Sequence, residues 1–401
     1  MAEAATISQR QTIGLTLKRV AVIVAVMLLG ACSTVVPRTA RPNPNGPAAV
    51  APPRALEPVI VPGLPTDNQH HMIALLVPLT GPNSGVGRSL ANATQLALLD
   101  TNNAQLRITT YDTATGPAAA AQKAIADGAQ LILGPLLADD VRAVVPLAKR
   151  AGVSVISFSN DTSVAGSGAY LMGYSPAQSI ERVVDYARAE GITTYGGLVA
   201  NGVYGQRTQT AFLRAVESVN GHVVSLQTYD RGTASIAAAA ARLGKAGPMG
   251  AVLVVDDGLT AAGIVPLLRR NGESGARVLG TERWNNEASI AAKPSLNGAW
   301  FASVADNLYR QYAVKYRARF GVAPYRLSSM GYDAVLLTIR IARNWPMGRS
   351  FPDDRLRDKG GFSGIDGAFR FGRDGIAERA LEVHEIRGGT TVTISPAPSG
   401  F

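Results

Sequence analysis

The sequence predicts an α/β protein built from two similar halves, and three observations lead to this fold class. Over residues 70–395, short apolar and β-branched runs alternate with segments of helical periodicity, as in parallel α/β folds. The alternation starts again after about residue 175. These roughly 325 residues are also too many for one small core and enough for two lobes.

The first half contains four predicted strands separated by helices. Met72–Val77 is an uninterrupted apolar run, as expected of a strand buried on both faces. A Gly-rich turn over Thr80–Ser89 and a helix with Leu90 on its apolar face follow it. The remaining predicted strands and helices are Leu106–Tyr111, Ala118–Asp127, Leu131–Leu133, Ala138–Ala151 and Val153–Ile156.

The second half repeats the alternation and ends differently. It opens on a predicted helix over Ser175–Glu190. The strands that follow are predicted over Gly197–Ala200, Val223–Tyr229, Ala251–Val255 and Val278–Leu279. Helices are predicted over Gly205–Asn220, Ser235–Lys245, Leu259–Asn271, Asn307–Phe320 and Ser328–Arg343. The tail predicts antiparallel strands over Gly367–Phe371, Ala380–Ile386 and Thr391–Ile394.

Residues 1–31 are predicted to be a secretory signal. Lys18 and Arg19 precede the short apolar run Val20–Leu29, and small residues follow up to Cys32. This order of charged, apolar and small residues is typical of signal peptides. The apolar run has ten residues, whereas a membrane-spanning helix needs about 20. A cleaved signal is therefore preferred over the alternative of a single-pass anchor.

Cys32 is the only cysteine of the chain, which excludes an internal disulfide and a cysteine-based metal site. The segment Leu29–Cys32 resembles the lipobox of bacterial lipoproteins. That resemblance implies cleavage before Cys32 and lipidation of its sulfur. Ser33 follows instead of Asp, which by the sorting rule of these lipoproteins implies the outer membrane. We therefore expect a periplasmic protein, lipid-anchored to the outer membrane.

Residues 32–69 are predicted to form a disordered tether. Pro37–Pro65 holds nine prolines in 29 residues and almost no apolar periodicity. Such a segment cannot bury enough surface to offset its ordering entropy, and proline biases it toward extended backbone. From Ser33 to Asn68 it could reach roughly 110 Å when fully extended.

The charge of the chain does not indicate a nucleic-acid partner. The formal net charge is +10, but the basic residues are scattered singly, without aromatic interleaving or a basic run. A weak attraction for anionic envelope polymers is the most that this charge implies.

The first candidate binding loop is the Gly-rich turn, because ligands of open α/β sheets bind beyond the carboxyl ends of the strands. Its spacing fails the patterns G-x-x-x-x-G-K-[ST] and G-x-G-x-x-G, so no nucleotide or other cofactor is predicted. Its backbone N–H groups can still receive an anionic ligand. The candidate residues are Thr80, Asn83, Ser84 and Gly87.

The second half supplies further candidate residues at its strand ends. Asn201 and Tyr204 follow one predicted strand, Asp256 and Asp257 follow the next, and Glu282 follows Val278–Leu279. The Asp pair has two interpretations, a contact to a cationic ligand group or the cap of the next helix, which Asp favours. Tyr204 can likewise contact a ligand or simply pack.

No catalytic signature is present. The sequence lacks a G-x-S-x-G elbow, the S-x-x-K with K-T-G set and H-E-x-x-H. Its four histidines have no spacing that suggests a metal site. The protein is therefore predicted not to be an enzyme, and an enzyme is the least favoured of the function classes considered.

Several segments in order resemble the type I periplasmic binding proteins of the leucine/isoleucine/valine-binding branch. They are Ile73–Leu98, Leu131–Ser159, Gly202–Gly205 and Tyr312–Leu337. The resemblance implies two Rossmann-like lobes joined by three hinge crossovers, near Ser159–Gly173, Thr281–Ser303 and Asn344–Phe362. Lobe 1 is expected over about 70–160 and 290–345, and lobe 2 over about 165–285 and 350–395.

The binding loops depart from those of the amino-acid receptors that the chain resembles. Those receptors bind the α-carboxylate with a Ser/Thr-rich loop, whereas Leu136 and Asp139 follow Gly134 here. The next loop, with Ser159, Asn160 and Asp161, keeps polar groups but lacks the small pair of the family. These residues are candidate cleft residues, and free leucine is not the expected ligand.

Two functions from different classes remain. The lipobox, the tether and the segments Ile73–Pro82 and Leu133–Leu136 resemble the outer-membrane lipoproteins that activate penicillin-binding proteins, the peptidoglycan synthases. That resemblance implies a penicillin-binding protein as partner. The alternative is the substrate-binding lipoprotein of an ABC transporter, whose partners would be a permease and a small solute such as a branched-chain amino acid. The first is preferred, because transport receptors of Gram-negative cells are mostly soluble.

Overall fold

The computed structural model describes residues 69–166, 168–286 and 288–398. Gly63–Phe401 is one compact unit, and the clusters of buried apolar side chains described all lie within it. The predicted signal and Cys32, with the tether up to residue 68, lie outside the described residues. Within the described ranges, no helix has the length and apolar character needed to cross a membrane.

The first lobe is built on a five-stranded parallel sheet in the order β2-β1-β3-β4-β5. Its strands are β1 (His71–Val77), β2 (Leu106–Asp112), β3 (Leu131–Leu133), β4 (Ser154–Ser157) and β5 (Ala169–Leu171). The helices between them are α1 (Ser84–Thr101), α2 (Pro117–Ala126) and α3 (Ala138–Arg150). Strand β1, which lies between β2 and β3, is buried almost throughout, as its apolar run predicted.

The second lobe is built on a seven-stranded sheet in the order β15-β14-β10-β9-β8-β6-β7. Its parallel strands are β6 (Thr194–Ala200), β7 (His222–Tyr229), β8 (Ala251–Val255), β9 (Arg277–Gly280) and β10 (Trp300–Ser303). The antiparallel strands β14 (Glu382–Arg387) and β15 (Thr390–Ser395) complete it. The helices of this lobe are α4 (Pro176–Ala189), α5 (Val203–Ser218), α6 (Thr233–Gly244) and α7 (Gly258–Arg270).

A small antiparallel sheet and two helices complete the first lobe. The helices are α8 (Asn307–Phe320) and α9 (Ser329–Ala342), and α9 packs on α1. The strands of the small sheet are β11 (Phe362–Gly364), β12 (Gly367–Phe371) and β13 (Ala377–Arg379). Phe369 and Phe371 lie in the same apolar cluster as Ile73 and Leu75 of β1, so this sheet belongs to the first lobe.

The two lobes repeat one close approach between a strand end and the next helix. A Cβ atom at Gly87, in the first turn of α1, would overlap the carbonyl oxygen of Pro78. A Cβ at Gly205, in the first turn of α5, would overlap the carbonyl oxygen of Ala200 in the same way. Glycine at both positions lets the helix begin directly beside the strand that precedes it.

The structure confirms the two-lobed α/β fold but corrects several predicted elements. The Gly-rich turn is shorter than expected, because α1 already begins at Ser84. The short strands β5, β10, β11 and β13 were not predicted, since three or four residues carry too little periodicity to be recognised. One helix and three strands have the predicted bounds. They are the helix Asn307–Phe320 and the strands Leu131–Leu133, Ala251–Val255 and Gly367–Phe371.

The lobe boundaries also differ from the expected ones. Residues 172–175, 304–306 and 380–381 link elements of the two lobes. The expected first-lobe segment 290–345 therefore includes β10, which pairs with β9 and β14 of the second lobe. The expected second-lobe segment 350–395 includes the small sheet, which packs in the first lobe.

Candidate functional site

A cleft of about 680 Å³ separates the lobes at the carboxyl ends of their parallel strands. The first lobe contributes the loop after β3 and the loop after β4. The second lobe contributes the first turns of α4 and α5. The lining residues used below are Leu136, Leu137, Ala138, Ser159, Asn160, Asp161, Tyr204, Arg207 and Arg214.

Five of the sequence-predicted site residues line this cleft, namely Leu136, Ser159, Asn160, Asp161 and Tyr204. The four candidates of the Gly-rich turn do not line it. Thr80 Oγ1 instead donates to Asp112 Oδ2 at 2.7 Å, and Gly87 is buried inside α1. Asn83 is the N-cap of α1, and Ser84 accepts a hydrogen bond from Arg88.

The remaining acidic and amide candidates have structural roles. Asp139 points to solvent and pairs with Arg142 at 2.6 Å, and Asn201 Nδ2 donates to Asp230 Oδ1 at 2.8 Å. The structure favours the capping interpretation of the Asp pair. Asp257 is the N-cap of α7 and accepts from Thr260 N at 2.7 Å. Asp256 is fully buried beneath Tyr229 and Arg231.

The hydroxyl groups after β4 are used within their own lobe. Ser157 Oγ donates to Pro135 O at 2.8 Å, and Ser159 N donates to Ser157 Oγ at 3.0 Å. Ser159 Oγ in turn accepts from Asp161 N at 3.2 Å. These bonds tie the loop after β4 to the loop after β3. Each of the two hydroxyl oxygens therefore accepts one hydrogen bond inside the first lobe.

An ion pair crosses the cleft and joins the two lobes. Arg207 Nη2, from α5, lies 2.8 Å from Asp161 Oδ2, in the loop after β4. Burial opposes ionisation of this carboxyl, but hydrogen bonds from Ser163 and Arg207 hold the pKa of Asp161 below its ordinary value. Asp161 is only 8% exposed. The most buried charged group of the cleft is thus already satisfied by the protein itself.

Tyr204 connects the cleft to a smaller pocket next to the crossovers. Its hydroxyl donates to Glu282 Oε1 at 2.9 Å, and Glu282 lines the smaller pocket. That pocket has a volume of about 10 Å³, enough for about one water molecule. Burial raises the pKa of Glu282 to about 7, and its Oε2 atom is buried without a hydrogen-bond partner.

The raised pKa of Glu282 predicts a loss of stability as the pH rises. Below about pH 4.5 the Glu282 carboxyl is protonated in both the folded and the unfolded protein, so its burial does not reduce the free energy of unfolding there. Between about pH 4.5 and 7 only the unfolded carboxyl ionises, and folding loses up to about 3 kcal/mol. Urea unfolding should therefore show Glu282→Gln to be more stable than wild type at pH 8 and nearly equal at pH 4.5.

The exposed Glu217 of α5 supplies the control for this measurement. Glu217→Gln removes the same charge from the same lobe and should leave the pH dependence of the unfolding free energy unchanged. An equal stability gain for Glu282→Gln at both pH values would contradict the account.

Two buried arginines tie the three crossovers together. Arg326 Nη1 lies 2.7 Å from Asp366 Oδ1, and Arg326 Nη2 lies 3.3 Å from Asp306 of the second crossover. Arg379 precedes the third crossover and donates to Met172 O of the first at 2.8 Å. Tyr174, also in the first crossover, donates to Asp366. The hinge is therefore a buried, charged network.

The charge state of this network follows from its contacts. Burial alone opposes ionisation of Asp366, but the guanidinium groups of Arg326 and Arg379 hold its pKa below the ordinary value. Burial, followed by the charge of Asp366, raises the pKa of the neighbouring Asp333 to about 7. Asp333 accepts from Ile365 N at 2.7 Å, which fixes the turn that carries Asp366.

Sequence reasoning missed Arg207, Arg326 and Arg379. A signal for Arg207 was present, because it lies three residues after Tyr204 on a predicted helix and so shares its face. No comparable signal exists for Arg326 and Arg379. Their partners Asp366 and Met172 are 40 and 207 residues away in the chain, and only the folded topology brings them together.

The fold and the cleft define a two-lobed binding protein, in which residues of both lobes face one cavity near three crossovers. A comparison with known families agrees with this class. The sequence model described as "Periplasmic binding protein" matches residues 72–390. The chain belongs to the periplasmic binding protein family, and membership of this family implies a periplasmic location.

Individual relatives are distant. An uncharacterized protein of Rickettsia prowazekii (strain Madrid E) is 28% identical over 116 residues, which cover 28% of this chain and 31% of that protein. The match thus spans about a third of the length of that relative.

Solved structures share the fold. A putative branched-chain amino acid ABC transporter protein from Rhodospirillum rubrum is 20% identical, with a TM-score of 0.72, and the alignment covers 81% of this chain and 100% of that one. Full-length LpoA from Haemophilus influenzae is 20% identical, with a TM-score of 0.61, over 81% of this chain and 59% of that one.

Proposed function

We propose that this protein is a non-catalytic envelope lipoprotein that binds and activates a penicillin-binding protein. One observation carries the proposal, the ion pair between Asp161 and Arg207 across the cleft. A solute receptor has to offer its cleft groups to a solute. Here Asp161 and Arg207 hold the two lobes to each other, so the outer surface of the two-lobed domain is left as the part that contacts a partner.

The lining of the cleft supports the same proposal. Leu136, Leu137 and Ala138 occupy the edge of the cleft after β3, where no side-chain hydroxyl is available for a carboxylate. The hydroxyls of Ser157 and Ser159 accept hydrogen bonds inside the first lobe. The apolar edge after β3 therefore offers no side-chain donor to the carboxylate of a free amino acid, which is consistent with a role in partner binding.

The comparisons and the amino-terminal sequence also support it. The similarity of fold to LpoA is consistent with the branch of lipoproteins that activate penicillin-binding proteins, which the lipobox and tether resemble. In this proposal Cys32 anchors the chain to the outer membrane, and residues 32–69 carry the two-lobed domain toward a synthase.

The proposed anchor predicts a change of location on mutation. Cys32→Ser removes the sulfur that would carry the lipid, so the exported protein should move from the membrane fraction to the soluble fraction. Fractionation followed by immunoblotting measures this shift, and the wild-type chain is the reference. A Cys32→Ser protein that still sediments with the outer membrane would rule out the lipid anchor.

A second candidate function is the solute receptor of an ABC transporter. The volume of the cleft, about 680 Å³, lies within the range of small-molecule sites. Fold similarity to a putative branched-chain amino acid ABC transporter protein is consistent with this alternative. The two candidates differ in what the cleft should bind.

Thermal unfolding with amino acids distinguishes the candidates. Because Asp161 and Arg207 are paired with each other, Leu, Ile, Val and other amino acids should give no large stabilisation. A ligand at about 100 times its Kd would stabilise the protein by roughly 2.7 kcal/mol, which such a measurement detects readily. A clear increase in Tm with a branched-chain amino acid would favour the receptor and count against the activator.

Direct binding tests the proposed partner. Immobilised Gly63–Phe401 should retain a purified penicillin-binding protein from the same cell. Unrelated periplasmic proteins purified from the same cell serve as the comparison. Absence of retention for each synthase tried would argue against the proposal, whatever the outcome with amino acids.

A further inference from the structure

Three arginines line one groove on the first lobe, away from the cleft. Arg340 lies in the last turn of α9, Arg343 is its C-cap, and Arg355 lies in the loop that follows. The groove has a volume of about 290 Å³. The buried side chains of Ile341 and Phe362 also line it. It is thus a cationic groove with an apolar component.

The groove lies at the amino ends of the first-lobe strands. Trp345, in the loop after α9, stacks on His71 with ring centroids 3.8 Å apart, and His71 begins β1. Gln130 Nε2, directly before β3, donates to the backbone oxygen of Arg349 at 3.1 Å. Because the cleft lies at the carboxyl ends of these strands, the groove and the cleft face opposite directions.

Two of the three arginines have no acidic partner. Asp358 lines the groove and pairs with Arg340 at 3.4 Å. The Arg340 guanidinium also lies 5.0 Å from the ring centroid of Phe362, which helps to hold it at the groove. Across the described residues, no carboxylate lies within ion-pair distance of Arg343 or Arg355. The groove therefore carries uncompensated positive charge.

We propose that this groove binds the phosphate groups of anionic phospholipids, so that the base of the first lobe rests on a membrane surface. A guanidinium group donates two parallel hydrogen bonds to phosphate oxygens and is suited to this contact. Residues 340–359 hold six Lys or Arg and three Asp. Met347, 40% exposed between Arg343 and Arg349, adds an apolar contact, as in other basic membrane-binding segments.

The position of the groove agrees with this partner. Strand β1 begins at His71, at the end of the sheet where the groove lies. With a membrane on this side, the cleft and the second lobe would face away from the lipid. This inference goes beyond the proposed function and does not depend on it, since a solute receptor could contact a membrane in the same way.

Vesicle binding tests the inference with Gly63–Phe401, which contains the described core and lacks Cys32. The protein should sediment with vesicles containing about 30% phosphatidylglycerol and not with phosphatidylcholine vesicles. The double variant Arg343→Ala/Arg355→Ala should partition roughly thirtyfold more weakly. The control Lys245→Ala/Arg270→Ala removes two exposed charges from the second lobe and should partition like the wild type.

Other results would overturn the inference. Equal losses in the two double variants would mean that net charge, and not the groove, attracts the vesicles. Groove-dependent binding of inorganic phosphate without any binding to vesicles would identify free phosphate as the ligand. Groove-dependent binding to purified peptidoglycan without binding to vesicles would assign the groove to another polymer. Equal melting temperatures of the two variants ensure that folding does not cause the difference.

Discussion

Replacing Arg326 with Met is expected to destabilise the folded protein by about 3–5 kcal/mol, the cost of leaving one member of a buried ion pair alone. Arg326 is 7% exposed and lies 2.7 Å from the fully buried Asp366. Tyr174 and Ser329 would still donate to Asp366, but among the described residues the only guanidinium left to offset its charge would be that of Arg379, which makes no direct ion pair with it. Urea unfolding of Gly63–Phe401 measures the change.

Arg340→Met supplies the matched control, because it removes the same side-chain type from an exposed pair. Arg340 and Asp358 are about half exposed, and such pairs contribute at most about 1 kcal/mol. Equal losses for the two variants would show that the hinge network does not hold the three crossovers. Adding Asp366→Asn to Arg326→Met should recover part of the loss, because it removes the uncompensated charge.

Deleting most of the tether is expected to abolish activity without changing the stability of the two lobes. From Ser33 to Asn68 the chain could reach roughly 110 Å, but removal of Pro37–Pro65 would leave a reach of only about 20 Å. A domain held at the outer membrane by Cys32 would then no longer contact a synthase in the inner membrane. Cell-wall synthesis measured in cells and the Tm of the purified variant report the two effects.

The control for the deletion keeps the length and changes the sequence. An unrelated Pro-rich segment of equal length in place of Pro37–Pro65 should preserve activity, because proline biases any such segment toward extended backbone and the reach then depends on its length. Loss of activity in this replacement would assign a specific binding role to the tether sequence. Full activity in the shortened chain would show that reach is not required and would contradict the proposed arrangement.

Much of the fold could be predicted, because the periodicity of apolar residues depends only on residues that are close together in the sequence. Buried runs such as Leu131–Leu133 and Ala251–Val255 indicate strands by themselves, and Asn307–Phe320 indicates a helix. The placement of Trp300–Ser303 could not be predicted in this way. It depends on pairing with β9 and with β14, which lies some 80 residues later in the chain. The same long-range pairing displaced the expected lobe boundaries.

The candidate site was predicted only in part, for the same physical reason. Strand-end position selected Asp161 and Tyr204, and the structure places both in the cleft, because all strand ends of a parallel sheet meet at one edge. It also selected Thr80 and Asn201, whose side chains instead bond to the neighbouring Asp112 and Asp230. Local hydrogen bonds of this kind decide which strand-end residues remain available to a ligand.

The most direct test of the proposed function is the activity of a purified penicillin-binding protein with and without Gly63–Phe401. The account predicts faster glycan polymerisation or cross-linking, together with a measurable complex between the two proteins. An Arg326→Met variant, weakened at the hinge, would report whether the hinge network is needed for this effect. Unchanged synthase rates and no complex with any penicillin-binding protein of the cell would contradict the account.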